Sequence, residues 1–149
     1  MVPRMLLEPL RDLLIELGRW DRAACELESH GVAATVPSAA RASMRRELEA
    51  LHHGLRVAAP GGSLVDRLNE RLHGLFAPSE RGTARARFAR RERALLRHYE
   101  ALCERALPFS ISTILLRHYA TLKRASENAW AGPVVWRPQR HAVAASRTA

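Results

Sequence analysis

Residues 85–107 read RARFARRERALLRHYEALCERAL, and they carry the clearest helical pattern in the chain. Its apolar side chains recur every three or four residues, which is the spacing of one face of an α-helix. Around a helix axis, with successive residues about 100° apart, most of the arginines fall away from that face, whereas Glu92 falls inside it. The pattern predicts a long amphipathic helix from about Thr83 to Leu107, ended by Pro108. Its predicted apolar face comprises Phe88, Leu95, Leu96, Tyr99, Leu102, Cys103 and Ala106.

The same periodicity predicts three further long helices. The first runs from about Glu8 to His30, with Pro9 in its first turn and Gly31 as its stop signal. The second runs from a cap at Ser38 to about Val57, and the last from about Ser110 to Trp130. No segment shows the alternation of apolar and polar residues that a strand requires. The expected fold class is therefore all-α.

The segment 58–82 separates the second long helix from the third. It contains the helix-breaking run AAPGGS and then LVDRLNERLHGLF, a short leucine-striped helix that Ser63 would cap. We expect this connector helix to lie in a crossover between two helical hairpins, so that residues 1–130 form a four-helix bundle. Residues 131–149 have no acidic side chain and no period, and we expect a disordered basic tail there.

Composition limits the classes of function. The 149 residues suit one domain, and 47% of them are apolar but only 5% aromatic, as expected for a core of Leu and Ala. The net charge of +9 makes nucleic acid or another anionic partner a candidate. Cys25 and Cys103 have no zinc-ligand spacing and are expected to be reduced and buried. No stretch resembles a signal peptide or a membrane span, so a cytoplasmic protein is expected.

Several ionisable residues are predicted to face the core. The set comprises Asp21, Glu28, Glu92 and His118. Because burial of an unpaired charge is unfavourable, such residues need partners, a metal ion or a shifted pKa. Carboxylates with an imidazole are suitable ligands for iron, manganese or zinc. The alternative is a buried hydrogen-bonded network in which Glu92 pairs with His118 or with an arginine such as Arg91 or Arg45.

Two other spacings imitate a metal site. Glu49-Ala-Leu-His52 and Glu70-Arg-Leu-His73 both match the Glu-x-x-His pattern that di-iron bundles use. Both ligands of such a pair must project into the bundle. Glu49 points away from the apolar stripe of its helix, and Glu70 and His73 lie opposite the leucine stripe of theirs. Neither match is therefore predicted to bind metal.

Four stretches of the chain carry a resemblance to a known family. They read RRELEALHHGLRVAAPGGS, LVDRLNERLHGLF, RRERALLRHYEALCERALP and LLRHYATLKRASENAW, and the order of Gly-Gly-Ser, short helix, Glu92 to Tyr99 and Leu107-Pro108 runs through them. The chain thereby resembles bacterial ferritin-like four-helix proteins, a domain of unknown function. In ferritin-like relatives with di-iron chemistry, the third-helix ligand would correspond to Glu92. The fourth-helix Glu-x-x-His is replaced here by Leu115 and His118, so the resemblance implies a degenerate centre without a catalytic residue.

Three functions remain open. The first is a non-enzymatic bundle in a structural, stress-related or interaction role, without a cofactor. A homodimer is possible, and Trp20, Leu75 and Phe76 could cover either a second copy or the crossover. The second is a metal-binding bundle with possible oxidoreductase activity, using the inward set. The third is binding of nucleic acid or another anion through an arginine ridge on the third long helix, formed by Arg85, Arg87, Arg90, Arg93 and Arg97. The sequence does not favour this third function, because glutamates interrupt the ridge and neither a helix-turn-helix nor an aromatic stacking platform is evident.

Overall fold

A computed structural model describes residues 2–58 and 81–130, and the regular structure in these ranges is entirely α-helical. Helix α1 spans Val2–Ser29, α2 Ser38–Ala58, α3 Ala84–Cys103 and α4 Phe109–Trp130. The predicted all-α architecture with four long helices is confirmed. The predicted connector helix and the predicted basic tail lie outside the described residues.

Two helix ends differ from the prediction. Helix α1 begins at Val2, so Pro9 lies inside it and not in its first turn. A proline removes one backbone hydrogen bond, but the extra turns bury Leu6, which is 5% exposed, and this burial offsets the loss. Helix α3 ends at Cys103 and not at Leu107, with Glu104 as its C-cap; Pro108 has no N–H to donate to the Glu104 carbonyl.

Side-chain contacts give the directions of the helices. On α1, Glu28 pairs with Arg41 of α2, and Glu26 pairs with Arg87 of α3, so both neighbours run antiparallel to α1. Helices α3 and α4 form a second antiparallel pair. It follows that α2 and α3 run in the same direction. The end of α2 and the start of α3 therefore lie at opposite ends of the bundle.

The core follows a repeat of 3.5 residues and not 3.6. Buried positions alternate in steps of three and four, as in coiled coils, where such a seam lets helices pack nearly parallel to one another. On α1 the seam comprises Leu6, Leu10, Leu13, Leu17, Trp20, Ala24 and Leu27, and on α3 it comprises Phe88, Glu92, Leu95, Tyr99 and Leu102. Each of α2, α3 and α4 has one buried Arg, Glu or His in its seam, namely Arg41, Glu92 and His118.

Two expectations about the surface of α1 are wrong. Trp20 is fully buried and stacks on Phe88 with 6.2 Å between ring centroids, so it is not available to a second copy of the chain. Cys25 is exposed, because the α1 seam passes through Ala24. Leu75 and Phe76 lie outside the described residues. None of the helices in the described part of the chain combines the length and hydrophobicity that a membrane span needs.

Adjacent leucines on α4 provide a test of this packing. Leu115 is fully buried and Leu116 is 51% exposed. Leu115→Ala should lower the free energy of unfolding by about 2–5 kcal/mol, because it removes a buried side chain and leaves a cavity. Leu116→Ala should change it by less than about 0.5 kcal/mol. Urea unfolding monitored by circular dichroism measures both values, and equal losses would contradict the orientation of α4.

Candidate functional site

A buried arginine joins α1, α2 and the loop between them. Arg41 is 2% exposed and follows the spacing of Met44 and Leu48 in the α2 seam. Its Nε donates to Asp21 at 2.7 Å, and its two Nη atoms donate to Glu28 at 2.8 and 2.9 Å. The remaining two donors meet the Val36 carbonyl at 2.8 Å and the Cys25 Sγ at 3.8 Å. All five donors of the guanidinium are thus used.

This arrangement corrects the predicted inward set. Glu28 is exposed and Asp21 is half-buried, and both carboxylates serve Arg41. The hydrogen bond from Arg41 lowers the pKa of Glu28, and the Glu28 carboxylate raises the pKa of Arg41. The prediction failed because a 3.5-residue seam drifts by about 20° per heptad around a straight helix. By the last turns of α1, the core lies on the side of Leu27 and not of Glu28.

His118 links three helices through its two ring nitrogens. Nε2 lies 3.0 Å from Glu47 Oε2 on α2, and Nδ1 lies 3.0 Å from the Tyr99 hydroxyl on α3. Burial lowers the pKa of His118, so the ring is neutral near pH 7. A carboxylate only accepts, so Nε2 carries the proton and Nδ1 accepts from Tyr99. Arg117 also pairs with Glu47.

Glu92 belongs to a different network. It is 2% exposed and accepts a hydrogen bond from the Thr35 hydroxyl of the α1–α2 loop. Burial raises its pKa, while hydrogen bonds with Thr35 and Ser126 oppose the rise. The predicted pairs of Glu92 with His118 or Arg45 are wrong: Arg45 pairs with Asp21 at 3.2 Å. Arg91 lies 3.6 Å from Glu16.

The distance along α3 explains why the two networks do not merge. Glu92 and Tyr99 are seven residues apart, which is about 10 Å along a helix with a rise of 1.5 Å per residue. His118 contacts Tyr99, whereas Glu92 contacts Thr35 and Ser126. Within residues 2–58 and 81–130, no three His, Cys, Asp or Glu side chains come together as metal ligands. Metal binding by Glu92 stays a prediction, and it would need ligands from residues outside these two ranges.

Glu92 also lines a cavity of about 150 Å³ between α1, α3, the α1–α2 loop and the end of α4. Its walls are mostly apolar, and Arg85 is the only basic residue among the described ones that line it. The lining also includes Leu27, Val32, Ala33, Thr35, Phe88 and Ala89. Glu92 is buried, whereas Val32, Ala33 and Arg85 are exposed, so the cavity opens to the surface beside Glu92.

The predicted arginine ridge divides into three parts. Arg90, Arg93 and Arg97 are exposed and share one stripe of α3 opposite the core. Arg85 is exposed as well, but it lines the cavity. Arg87 is half-buried and is occupied by Glu26 and by the Gly82 carbonyl, so it does not belong to a free basic surface.

Two buried charged residues were missed by the sequence analysis. Arg41 could have been found, since it precedes Met44 and Leu48 by three and seven residues in the same stripe. Glu16 is 8% exposed beside the α1 seam and contacts Arg19 at 2.6 Å. No signal in the sequence indicated Glu16, because its burial depends on the position of Arg91 on α3.

Models of protein families, curated protein sequences and solved structures all give no match to this chain.

Removing the Arg41 guanidinium should destabilise the protein strongly. Arg41→Met should lower the free energy of unfolding by about 2–4 kcal/mol, since it leaves Glu28 and the buried Val36 carbonyl without their donor and removes one of the two arginines that pair with Asp21. Arg45→Met is the matched control: Arg45 contacts the same Asp21 from a side chain that is 41% exposed. This control should lose less than about 1 kcal/mol. Urea unfolding of both variants measures the difference, and equal losses would show that Arg41 is not the buried link.

Glu92 should make stability depend on pH in a defined direction. Its pKa is raised in the folded protein, so between its unfolded value of 4.5 and the folded value the native state holds a proton that the unfolded chain has lost. The contribution of Glu92 to stability therefore decreases as pH rises through this window. Glu92→Gln keeps the shape without the titration. The free energy of unfolding of the native protein relative to this variant should fall as pH rises above 4.5.

Denaturant unfolding at a series of pH values tests this directly, because the contributions of His118 and the other groups cancel in the comparison. Thr35→Val should make the dependence on pH steeper, since the Thr35 hydroxyl opposes the effect of burial on Glu92. A difference between native protein and Glu92→Gln that does not vary with pH would contradict the assignment.

Proposed function

We propose that the protein is a non-enzymatic helical bundle that binds an anionic partner, with a nucleic-acid backbone as the partner that fits best. One observation supports this most strongly. Arg90, Arg93 and Arg97 form an exposed stripe on α3, and none of them has an ion pair among the described residues. A stripe of unpaired arginines satisfies the electrostatic requirement for contacts with phosphates.

Backbone carbonyls, and not carboxylates, are the partners of Arg90 and Arg93 among the described residues. Arg90 donates to the Arg81 carbonyl at 2.6 Å, and Arg93 donates to the Ala89 carbonyl at 3.3 Å. These bonds orient the guanidinium groups but leave their charge uncompensated. Arg90 and Arg97 are seven residues apart, so the stripe extends about 10 Å along the helix. It can therefore contact more than one phosphate of a nucleic-acid strand.

The hydrogen bonds of the buried residues support a non-enzymatic role. Both ring nitrogens of His118 are engaged, and the five donors of Arg41 are used within the fold. A group that catalyses a reaction or binds a metal needs a free donor, acceptor or lone pair facing a substrate. In these two networks the polar groups instead hold helices together.

A ferritin-like chain course is part of the proposal. Helices α2 and α3 run in the same direction and α1 is antiparallel to both, which is the arrangement that one long crossover produces between two hairpins. In this view the chain keeps a ferritin-like scaffold with Glu92 in the third helix, whereas Leu115 and His118 replace the ligands of the fourth helix. The exposed face of α3 then carries the function.

Binding of a fluorescently labelled DNA duplex, measured by anisotropy over a range of salt concentrations, tests the proposal. We expect the affinity to fall steeply with salt. In the triple variant with Arg90, Arg93 and Arg97 changed to Gln, the slope of log affinity against log salt should be smaller by up to about 3, since each phosphate contact contributes about 0.9.

The control variant removes the same charge elsewhere. Arg22, Arg46 and Arg105 are exposed on α1, on α2 and beyond the end of α3, and their triple change to Gln should leave the salt slope nearly unchanged. Equal decreases of the salt slope in the two triple variants would show that net charge, and not the position of the arginines, determines binding. Absence of binding at low salt would contradict the proposed partner.

A further inference from the structure

The cavity beside Glu92 combines an apolar wall with one buried acid. Leu27, Val32, Phe88 and the methyl groups of alanines form most of the lining. Glu92 and Thr35 supply the polar groups, and Arg85 is exposed where it contributes to the lining. Apolar walls with a few placed polar groups are typical of sites for small molecules.

The size of the cavity limits the ligand. Its volume is about 150 Å³. An enclosed cavity of about that volume accommodates a molecule of the size of benzene, and this one is also open where Val32, Ala33 and Arg85 are exposed. Most sites for drug-sized ligands occupy about 300–1,000 Å³, so a nucleotide or a cofactor is too large. A single small ring or a short alkyl chain with one polar group fits.

The carboxyl determines which polar group is recognised. A carboxylate offers about four acceptor positions, and the described partners of Glu92 are the hydroxyls of Thr35 and Ser126. Acceptor positions therefore remain for a ligand. An ammonium group supplies both charge and hydrogen bonds, and a charge-assisted bond is roughly twice as strong as a neutral one. It would also relieve the unfavourable burial of the Glu92 charge.

We propose that this cavity binds a small organic monoamine, whose protonated amino group is held by Glu92 and whose apolar body packs against Phe88 and Leu27. Arg85 adds selectivity: its exposed guanidinium disfavours a second positive charge at the outer end of the ligand. Monoamines should therefore bind more tightly than diamines of the same length. The site is independent of the Arg90, Arg93 and Arg97 stripe, which lies opposite the core on α3.

Isothermal titration calorimetry of the full chain with benzylamine and with benzyl alcohol tests the proposal. The two probes have nearly the same shape, but only the amine carries a charge. We expect benzylamine to bind the native protein at least tenfold more tightly than benzyl alcohol does. In Glu92→Gln, this tenfold preference for benzylamine over benzyl alcohol should disappear. Equal affinities of the two probes, or no binding of benzylamine at millimolar concentration, would overturn the assignment.

Two further variants locate the binding site. Ala89→Leu and Ala33→Leu each add a side chain to a wall of the cavity, one from α3 and one from the α1–α2 loop. Either variant that still unfolds cooperatively should lose benzylamine binding at least tenfold. Glu100→Gln, at an exposed acid on the same helix, is the matched control for Glu92→Gln and should bind as the native protein does. Full binding in both cavity variants, or an equal loss in the Glu100→Gln control, would place the amine elsewhere and refute the proposal.

Discussion

Arg41 places a positive charge in the core, and its guanidinium joins α1, α2 and the loop between them. Once a positive charge lies in the core, every one of its donors needs an acceptor, because an unpaired buried donor destabilises the fold by a few kcal/mol. Asp21 and Glu28 bring α1 to the arginine, and the Val36 carbonyl brings the loop. This bond fixes the loop next to Thr35, which in turn reaches Glu92 on α3. The position of the cavity thus follows from the hydrogen bonds of a residue that does not line it.

The other seam residues follow the same rule. His118 is satisfied by one partner from α2 and one from α3, and Glu92 by partners from the loop and from α4. Polar residues at seam positions of coiled coils select register at the expense of stability. We interpret Arg41, Glu92 and His118 in this way: each is satisfied only when particular helices pack at one particular height. A core of leucine and alanine alone would permit helices to slide relative to one another.

Interior and surface therefore have different roles. Arg41 and His118 use their polar groups internally, while the stripe of Arg90, Arg93 and Arg97 keeps its charge available. Glu92 is intermediate, since it is bonded to the loop and also adjoins a cavity. Two features thus remain for partners: the unpaired positive charge of the arginine stripe at the surface, and the acceptor positions of the buried Glu92 carboxyl. The degenerate ligand pattern expected from the ferritin-like resemblance is compatible with both.

The sequence by itself determined the number of long helices, their approximate ends and the burial of Glu92 and His118, because each of these follows from local periodicity, proline and glycine. The tertiary structure alone decided which groups meet. Asp21 and Glu28 fall on the core side of an ideal helix, yet the 3.5-residue seam turns away from them. Glu92 and His118 are each predicted on the apolar face of their own helix. They nevertheless have different partners, because contacts between helices depend on the relative height and direction of those helices. A one-dimensional pattern specifies the face of each helix, and only packing brings Thr35 to Glu92 and Glu47 to His118.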